Sequence, residues 1–147
     1  MNSQLDKTWK ESAERPRIKT ITKNSELREI ADQFQSAPFI AVDTEFMRER
    51  TYYPQLCLVQ ISDGATAVAI DPLAHGLDLT PLWTLMRDKD IVKVFHAGQQ
   101  DMEIFLHQMG RLPAPIYDTQ LAAMLCGLGD QVGYDKLVKA LLDDDIH

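Results

Sequence analysis

The chain has 147 residues, 45% hydrophobic and 25% charged, with a net charge of −7. That suffices for one globular domain with its own core, while no apolar run approaches a membrane span and the polar start MNSQLDKTWKESAERPRIKT lacks the apolar stretch of a secretory signal. The acidic balance excludes wrapping nucleic acid by charge alone, yet leaves polyanion binding open if acidic side chains hold divalent cations.

Residues 1–17 are polar and aperiodic and read as a flexible N-terminal arm ahead of a domain over 18–147. IKTIT (18–22) reads as a short edge strand. Asn24 or Ser25 is expected to cap a helix with Leu27, Ile30, Ala31 and Phe34 on one stripe. After Pro38, FIAVDTEF (39–46) is an apolar strand ending in acids. LCLVQIS (56–62) is a central strand, Asp63-Gly64 a hairpin turn, and TAVAID (66–71) its antiparallel partner. Thr80-Pro81 is expected to open a helix with Leu82, Trp83 and Met86 inward. IVKVFHAG (91–98) is a further strand running into a helix with Met102, Phe105, Leu106 and Met109 on one stripe, stopped by Gly110. Asp118-Thr119 caps a helix ending near Gly127, and a last helix carries Tyr134, Leu137, Val138 and Leu141 before DDDIH. Three antiparallel strands followed by β-α units define an α/β domain with a mixed sheet flanked by helices. The two cysteines, Cys57 and Cys126, lie in apolar context and read as reduced, buried thiols of a cytoplasmic protein.

Two places carry acids where function gathers in such sheets, at strand ends and helix starts. Asp43 and Glu45 are two residues apart on a strand, so they share a face with Cα atoms about 7 Å apart. Either both sit in solvent as the strand leaves the core, or they jointly hold hard cations such as Mg²⁺ or Mn²⁺. Asp101 stands in a first helical turn, where an acid favours the helix dipole, and it could face the same point if the preceding strand lies beside 39–46. Gly98 permits close backbone approach there. His96 ends its strand either as a hydrogen-bonded structural residue or as a ligand. Arg48, Arg50, Tyr52 and Tyr53 follow the acidic strand and could pair with phosphate or stack on bases, or could pack and solvate a loop. Gln99 and Gln100 are open to the same two readings. Asp118 is first of all a cap.

AVDTEFMRERTYYPQLCLVQI, KVFHAGQQDMEIF and IYDTQLAAMLCG, in this order and spacing, resemble ribonuclease D in the DEDD family of 3′→5′ exonucleases, over about residues 38–142. The resemblance implies a ribonuclease-H-like fold and hydrolysis at RNA 3′ ends, tRNA precursors included, with two divalent ions, Mg²⁺ or Mn²⁺. It implies Asp43, Glu45 and Asp101 as metal ligands and catalytic acids. Thr44, Phe46, Arg48, Tyr52, His96 and Gln100 are then expected to contact single-stranded RNA. The third family motif, a Tyr followed four residues later by an Asp, has no match: the residue four after Tyr134 is Val138. The motif is expected beyond His147, which makes the domain C-terminally incomplete. Asp143, Asp144 and Asp145 read as a solvated helix end rather than substitutes. Two outcomes follow, a metal-dependent exoribonuclease or a catalytically incomplete relative that holds an RNA 3′ end. A third, with less behind it, is an acidic protein-interaction domain. A sheet lacking its last helix would also expose apolar surface, so marginal stability or self-association is expected.

Overall fold

Alternation along one strand organises the molecule. In β2 (Phe39–Met47) residues Ile40, Val42 and Thr44 are buried, whereas Phe39, Ala41, Asp43 and Glu45 are exposed. The computed structural model describes residues 18–48 and 52–146; the arm 1–17 and Arg50 lie outside the described residues. In chain order the elements are β1 (Lys19–Ile21), α1 (Asn24–Phe34), β2, β3 (Gln55–Ser62), β4 (Ala67–Ile70), α2 (Thr80–Arg87), β5 (Val92–Phe95), α3 (Gln99–Met109), β6 (Ile116–Asp118), α4 (Thr119–Leu125) and α5 (Tyr134–Leu142).

The strands form one six-stranded mixed sheet in the order β1-β4-β3-β2-β5-β6. β2, β3 and β4 are an antiparallel meander. β1 joins β4, and β5 joins β2, in parallel. The Asp63-Gly64 turn forms as expected: Gly64 takes φ +91, and the Asp63 carboxylate accepts from the backbone N–H groups of Ala65 and Thr66.

One sheet face carries the main core. Leu27 and Phe34 of α1, Leu82 and Met86 of α2, and Ile104 and Phe105 of α3 join Ile40, Val42, Val59 and Ile61 in one buried cluster. Each fully buried large side chain contributes about 1.5–3 kcal/mol by leaving water. A lysine belongs to this interior. Lys93 is fully buried, and its ammonium donates to the carbonyl oxygens of Ile91, at 2.6 Å, and Asp88. Burial lowers its pKa, partly opposed by the charge of Asp88.

The other face is thinly covered. Helices α4 and α5 each bury one residue, Ala123 and Leu137, and neither belongs to the main cluster. A groove of about 590 Å³ opens over this face, lined by Ala41, Asp43, Gln60, His96, Thr119 and Tyr134 among others.

Several local expectations need correction. The N-cap of α1 is Lys23. Asn24 is occupied elsewhere: its side-chain amide donates to Gly76 O at 2.9 Å and accepts from Asp78 N–H at 2.7 Å. The N-cap of α2 is Leu79, because Asp78 accepts from both the N–H and the hydroxyl of Thr80. Leu106 is half exposed and Ile104 fills the core in its place. Leu141 is exposed, and of the two cysteines expected to be buried Cys126 is exposed and Cys57 half-buried.

Candidate active site

The antiparallel register sets Asp43 opposite Gln60, and the Gln60 amide donates to Asp43 Oδ2 at 3.4 Å. Immediately after Glu45 the register shifts, so that Phe46 pairs with Leu56 and Cys57 is the extra residue of a bulge. Such a bulge bends the strand and raises its twist. Phe46 turns in to pack against the core, which leaves Asp43 and Glu45 as the acids of the open face.

Asp101 reaches β2 from the other element. The turn from β5 into α3 places it in the first helical turn, where it is 9% exposed. The Thr44 hydroxyl donates a short hydrogen bond to Asp101 Oδ1. Burial raises the pKa of Asp101, the Thr44 hydroxyl opposes that shift, and the charge of neighbouring Asp43 raises it further.

The turn that delivers Asp101 is tightly determined. Ala97 has φ +54, a left-handed conformation costing a residue with a Cβ about 1–2 kcal/mol. Gly98 is buried against Phe95, and a Cβ there would come within 2.8 Å of Phe95 Cβ.

The other expected contacts are placed differently. His96 is tied on both ring nitrogens: Nδ1 lies 2.9 Å from Thr119 Oγ1, and Nε2 lies 2.9 Å from the carbonyl oxygen of Val132. A carbonyl only accepts, so Nε2 carries a proton. Its ring also meets Tyr134 edge-on at 5.5 Å. Arg48 is paired with Glu103 of α3 at 3.1 Å. Tyr53 stacks on His107 of α3 at 4.2 Å, and Tyr52, 89% exposed, stands edge-on to Tyr53. Thr44–Asp101, Arg48–Glu103 and Tyr53–His107 thus run along α3 from its first turn toward its end. Gln100 is exposed beside Asp101. Asp43, Thr44 and Asp101 come together; Tyr52 stands well along α3, and Phe46 faces the core.

Sequence reasoning missed Gln60, whose relation to Asp43 exists only through cross-strand register. Thr44, expected to contact RNA, donates its hydroxyl to Asp101.

The oxygen donors of Asp43, Glu45 and Asp101 are the type a hard cation takes. Among the described residues, no three His, Cys, Asp or Glu side chains gather into a metal-holding group. A Mg²⁺-like ion, however, is held by one or two carboxylates with its own waters and substrate phosphate, so Asp43 and Asp101 fit it in kind.

Comparison with known proteins agrees with this architecture. The family model described as 3′-5′ exonuclease matches residues 18–147, and the chain belongs to that family. Within it, the chain is 53% identical over 121 residues to ribonuclease D of Gluconacetobacter diazotrophicus, covering 82% of this chain and 31% of that protein. The crystal structure of Escherichia coli RNase D, an exoribonuclease involved in structured RNA processing, superposes with a TM-score of 0.83 at 40% identity, over 88% of this chain and 34% of that one. Brucella melitensis NrnC with bound Mg²⁺ gives a TM-score of 0.68 at 28% identity, over 88% of this chain and 61% of that one. The fold is the ribonuclease-H-like mixed sheet. The chain spans about a third of the length of the curated relatives it matches. Among the described residues no helix is long and apolar enough to cross a membrane.

Proposed function

We propose that this domain serves a metal-dependent 3′→5′ exoribonuclease that removes nucleotides from single-stranded RNA 3′ ends, tRNA precursors among them. The observation that carries the reading is the Thr44 hydroxyl, next to Asp43 on β2, bonded to Asp101 at the start of α3, beside a groove of about 590 Å³ that Asp43 lines. The similarity to ribonuclease D supports the substrate class, and the Mg²⁺ bound by NrnC supports the cofactor. NrnC has also been captured with pGG.

In this reading Asp43, Glu45 and Asp101 hold two divalent cations, Mg²⁺ or Mn²⁺. When bound, these supply Lewis-acid polarisation of the phosphodiester and activation of water. The chain's own residues do the rest. Thr44 fixes the Asp101 carboxylate, and Gln60 steadies Asp43. The β2–β5 floor of the groove lays the terminal phosphodiester beside the acids. Water adds to phosphorus, the bond to the 3′-oxygen breaks, and that oxygen leaves with a proton on the shortened RNA. Tyr52 and Gln100 lie exposed where flanking nucleotides would pass. The two free cysteines suit the reducing cytoplasm, where we place the protein.

A second reading has its own observation. With no three-carboxylate cluster among the described residues and Val138 four places after Tyr134, the chain could hold an RNA 3′ end without cutting it. One assay separates the two. A 5′-labelled single-stranded RNA is incubated with the chain in Mg²⁺ or Mn²⁺ and in EDTA, beside Asp43→Ala. A ladder shortening from the 3′ end, lost with EDTA and with the variant, is the expected result. Retained RNA binding without shortening would favour the second reading.

A further inference from the structure

We propose that Asp118 is a positioning residue for Asp101: its carboxylate grips the turn between β5 and α3 and so sets where the Asp101 carboxylate stands. This inference rests on the exonuclease reading for the role of Asp101, but its structural half stands apart from it.

Asp118 looks like a helix cap and is one. Its Oδ1 accepts from the N–H groups of Gln120 at 2.8 Å and Leu121 at 3.4 Å, the two donors a cap satisfies at the start of α4. A cap needs nothing more, yet the same carboxylate takes two further donors from a segment twenty residues earlier. Ala97 N–H reaches Oδ1 at 3.1 Å, and Gly98 N–H reaches Oδ2 at 2.9 Å. Gly98 is the N-cap of α3, and its carbonyl accepts the first helical bond, from Met102 N–H at 3.0 Å. One side chain therefore anchors the first turns of two helices, and the second of these carries Asp101.

The gripped turn is the one that needs an outside hold. Ala97 is in a left-handed conformation, and Gly98 is pressed on Phe95. The neighbouring residue completes the attachment, with the Thr119 hydroxyl donating to Phe95 O at 3.2 Å and lying 2.9 Å from His96 Nδ1. Residues 118 and 119 thus fasten the whole stretch 95–98. The charge state suits the task. Burial pushes the Asp118 carboxyl up, but the N–H groups of Gly98, Gln120, Ala97 and Leu121 outweigh it and hold the carboxyl below its ordinary value. The electropositive starts of α3 and α4 both face that charge.

Residue chemistry separates grip from cap. Asn and Ser cap helices about as well as Asp. Only a carboxylate offers two acceptor oxygens, one for α4 and Ala97 and the other for Gly98. In Asp118→Asn the retained oxygen still caps α4, while the new amide NH₂ meets the N–H of Gly98 donor to donor. In Asp118→Ser the single short-armed oxygen serves the cap alone.

The test compares wild type, Asp118→Asn, Asp118→Ser and Asp101→Asn in the 147-residue chain. Mn²⁺ affinity is read by electron paramagnetic resonance titration, amide hydrogen exchange by residue, and melting by circular dichroism. Loss of a group that orients a metal ligand costs about 10–100-fold in metal affinity. The expected result is a loss of that size in both Asp118 variants, with melting lowered by a few degrees. Exchange should quicken at residues 97–102 while α4 keeps its protection. Unchanged exchange at 97–102, or quickening confined to α4, would overturn the proposal and leave Asp118 a plain cap. So would Mn²⁺ affinity equal to wild type in a chain whose affinity does fall in Asp101→Asn. If Mn²⁺ binding is absent from wild type or indifferent to Asp101→Asn, the exonuclease reading fails instead, and the exchange at 97–102 alone decides whether Asp118 positions Asp101.

Discussion

The two faces of the sheet are built from the same strands and do opposite things. On one, three helices seal Ile40, Val42, Val59 and Phe105 from water. On the other, Asp43 and Gln60 line an open groove, Glu45 is exposed, and among the described residues α4 and α5 bury one residue each. In β2 the assignment changes at every residue, so the strand is at once a wall of the core and a rail for carboxylates. The difference teaches that chemistry here is separated from stability by strand parity rather than by distance. Asp101 crosses that division by arriving from a helix start on the buried side.

The sharpest way to break this comparison is to change one residue per face. Asp43→Ala should lower 3′-directed RNA shortening by roughly 10²-fold or more and shift unfolding free energy by no more than about 0.5 kcal/mol. Loss of the fold would mean that the open face is structural after all. Phe105→Ala, on the sealed face, should cost about 3–5 kcal/mol in urea unfolding. A cost below about 1 kcal/mol would show a core less tightly packed than the cluster indicates.

Cation linkage gives the next effect. Mg²⁺ or Mn²⁺ at about 100 times its dissociation constant should stabilise the chain by about 2.7 kcal/mol, reversibly with EDTA and not in Asp43→Ala. Equal stabilisation of the variant would place the ion elsewhere.

Acidification should act in two directions. The Asp118 carboxyl is depressed in the fold, so its bonds stabilise fully above the ordinary carboxylate range and are lost as pH falls through the folded value. Wild type and Asp118→Asn should therefore differ most in melting near neutrality and converge in acid. Asp101 is raised, so its contribution is full in acid and lost as pH rises through its folded value. Without cations, Asp101→Asn should accordingly melt higher than wild type at neutral pH. Parallel melting curves for either variant across this range would contradict the environments described.

The smallest effect is expected at Leu125, which is 84% exposed. Leu125→Lys should leave unfolding within about 0.5 kcal/mol and weaken self-association in sedimentation. A wild-type chain that is monomeric with a high melting temperature would remove the expectation that the open face is sticky.

Much of this was legible in the residues because the signals are local. Apolar runs fixed β2, β3 and β5, and Asp-Gly marked the β3–β4 turn. The acids at strand and helix ends, with the family motifs, pointed to Asp43 and Asp101. What stayed hidden depends on neighbours remote in the chain. The three residues of β6 form a strand only because β5 offers a parallel edge, with Val94 facing Tyr117. Lys93 reads as the polar break of an apolar strand, yet it is buried because two carbonyls happen to surround its ammonium. Thr44 alternates away from Asp43, and only the arrival of α3 gives it a partner. Helical periodicity allowed Leu106 or Ile104 inward, and packing chose Ile104.

The double hydrogen bond of Asn24 has a consequence for how the molecule opens. It joins the first turn of α1 to the loop 76–78, and Asp78 passes the attachment on to the first turn of α2. The meander β2–β3–β4 lies between these helices in the chain, so the latch spans the ends of that meander. The two helices are thereby coupled, the Asn24 amide reaching Gly76 across a sequence separation of 52. One amide thus ties together two helix starts that the chain separates by three strands of its sheet.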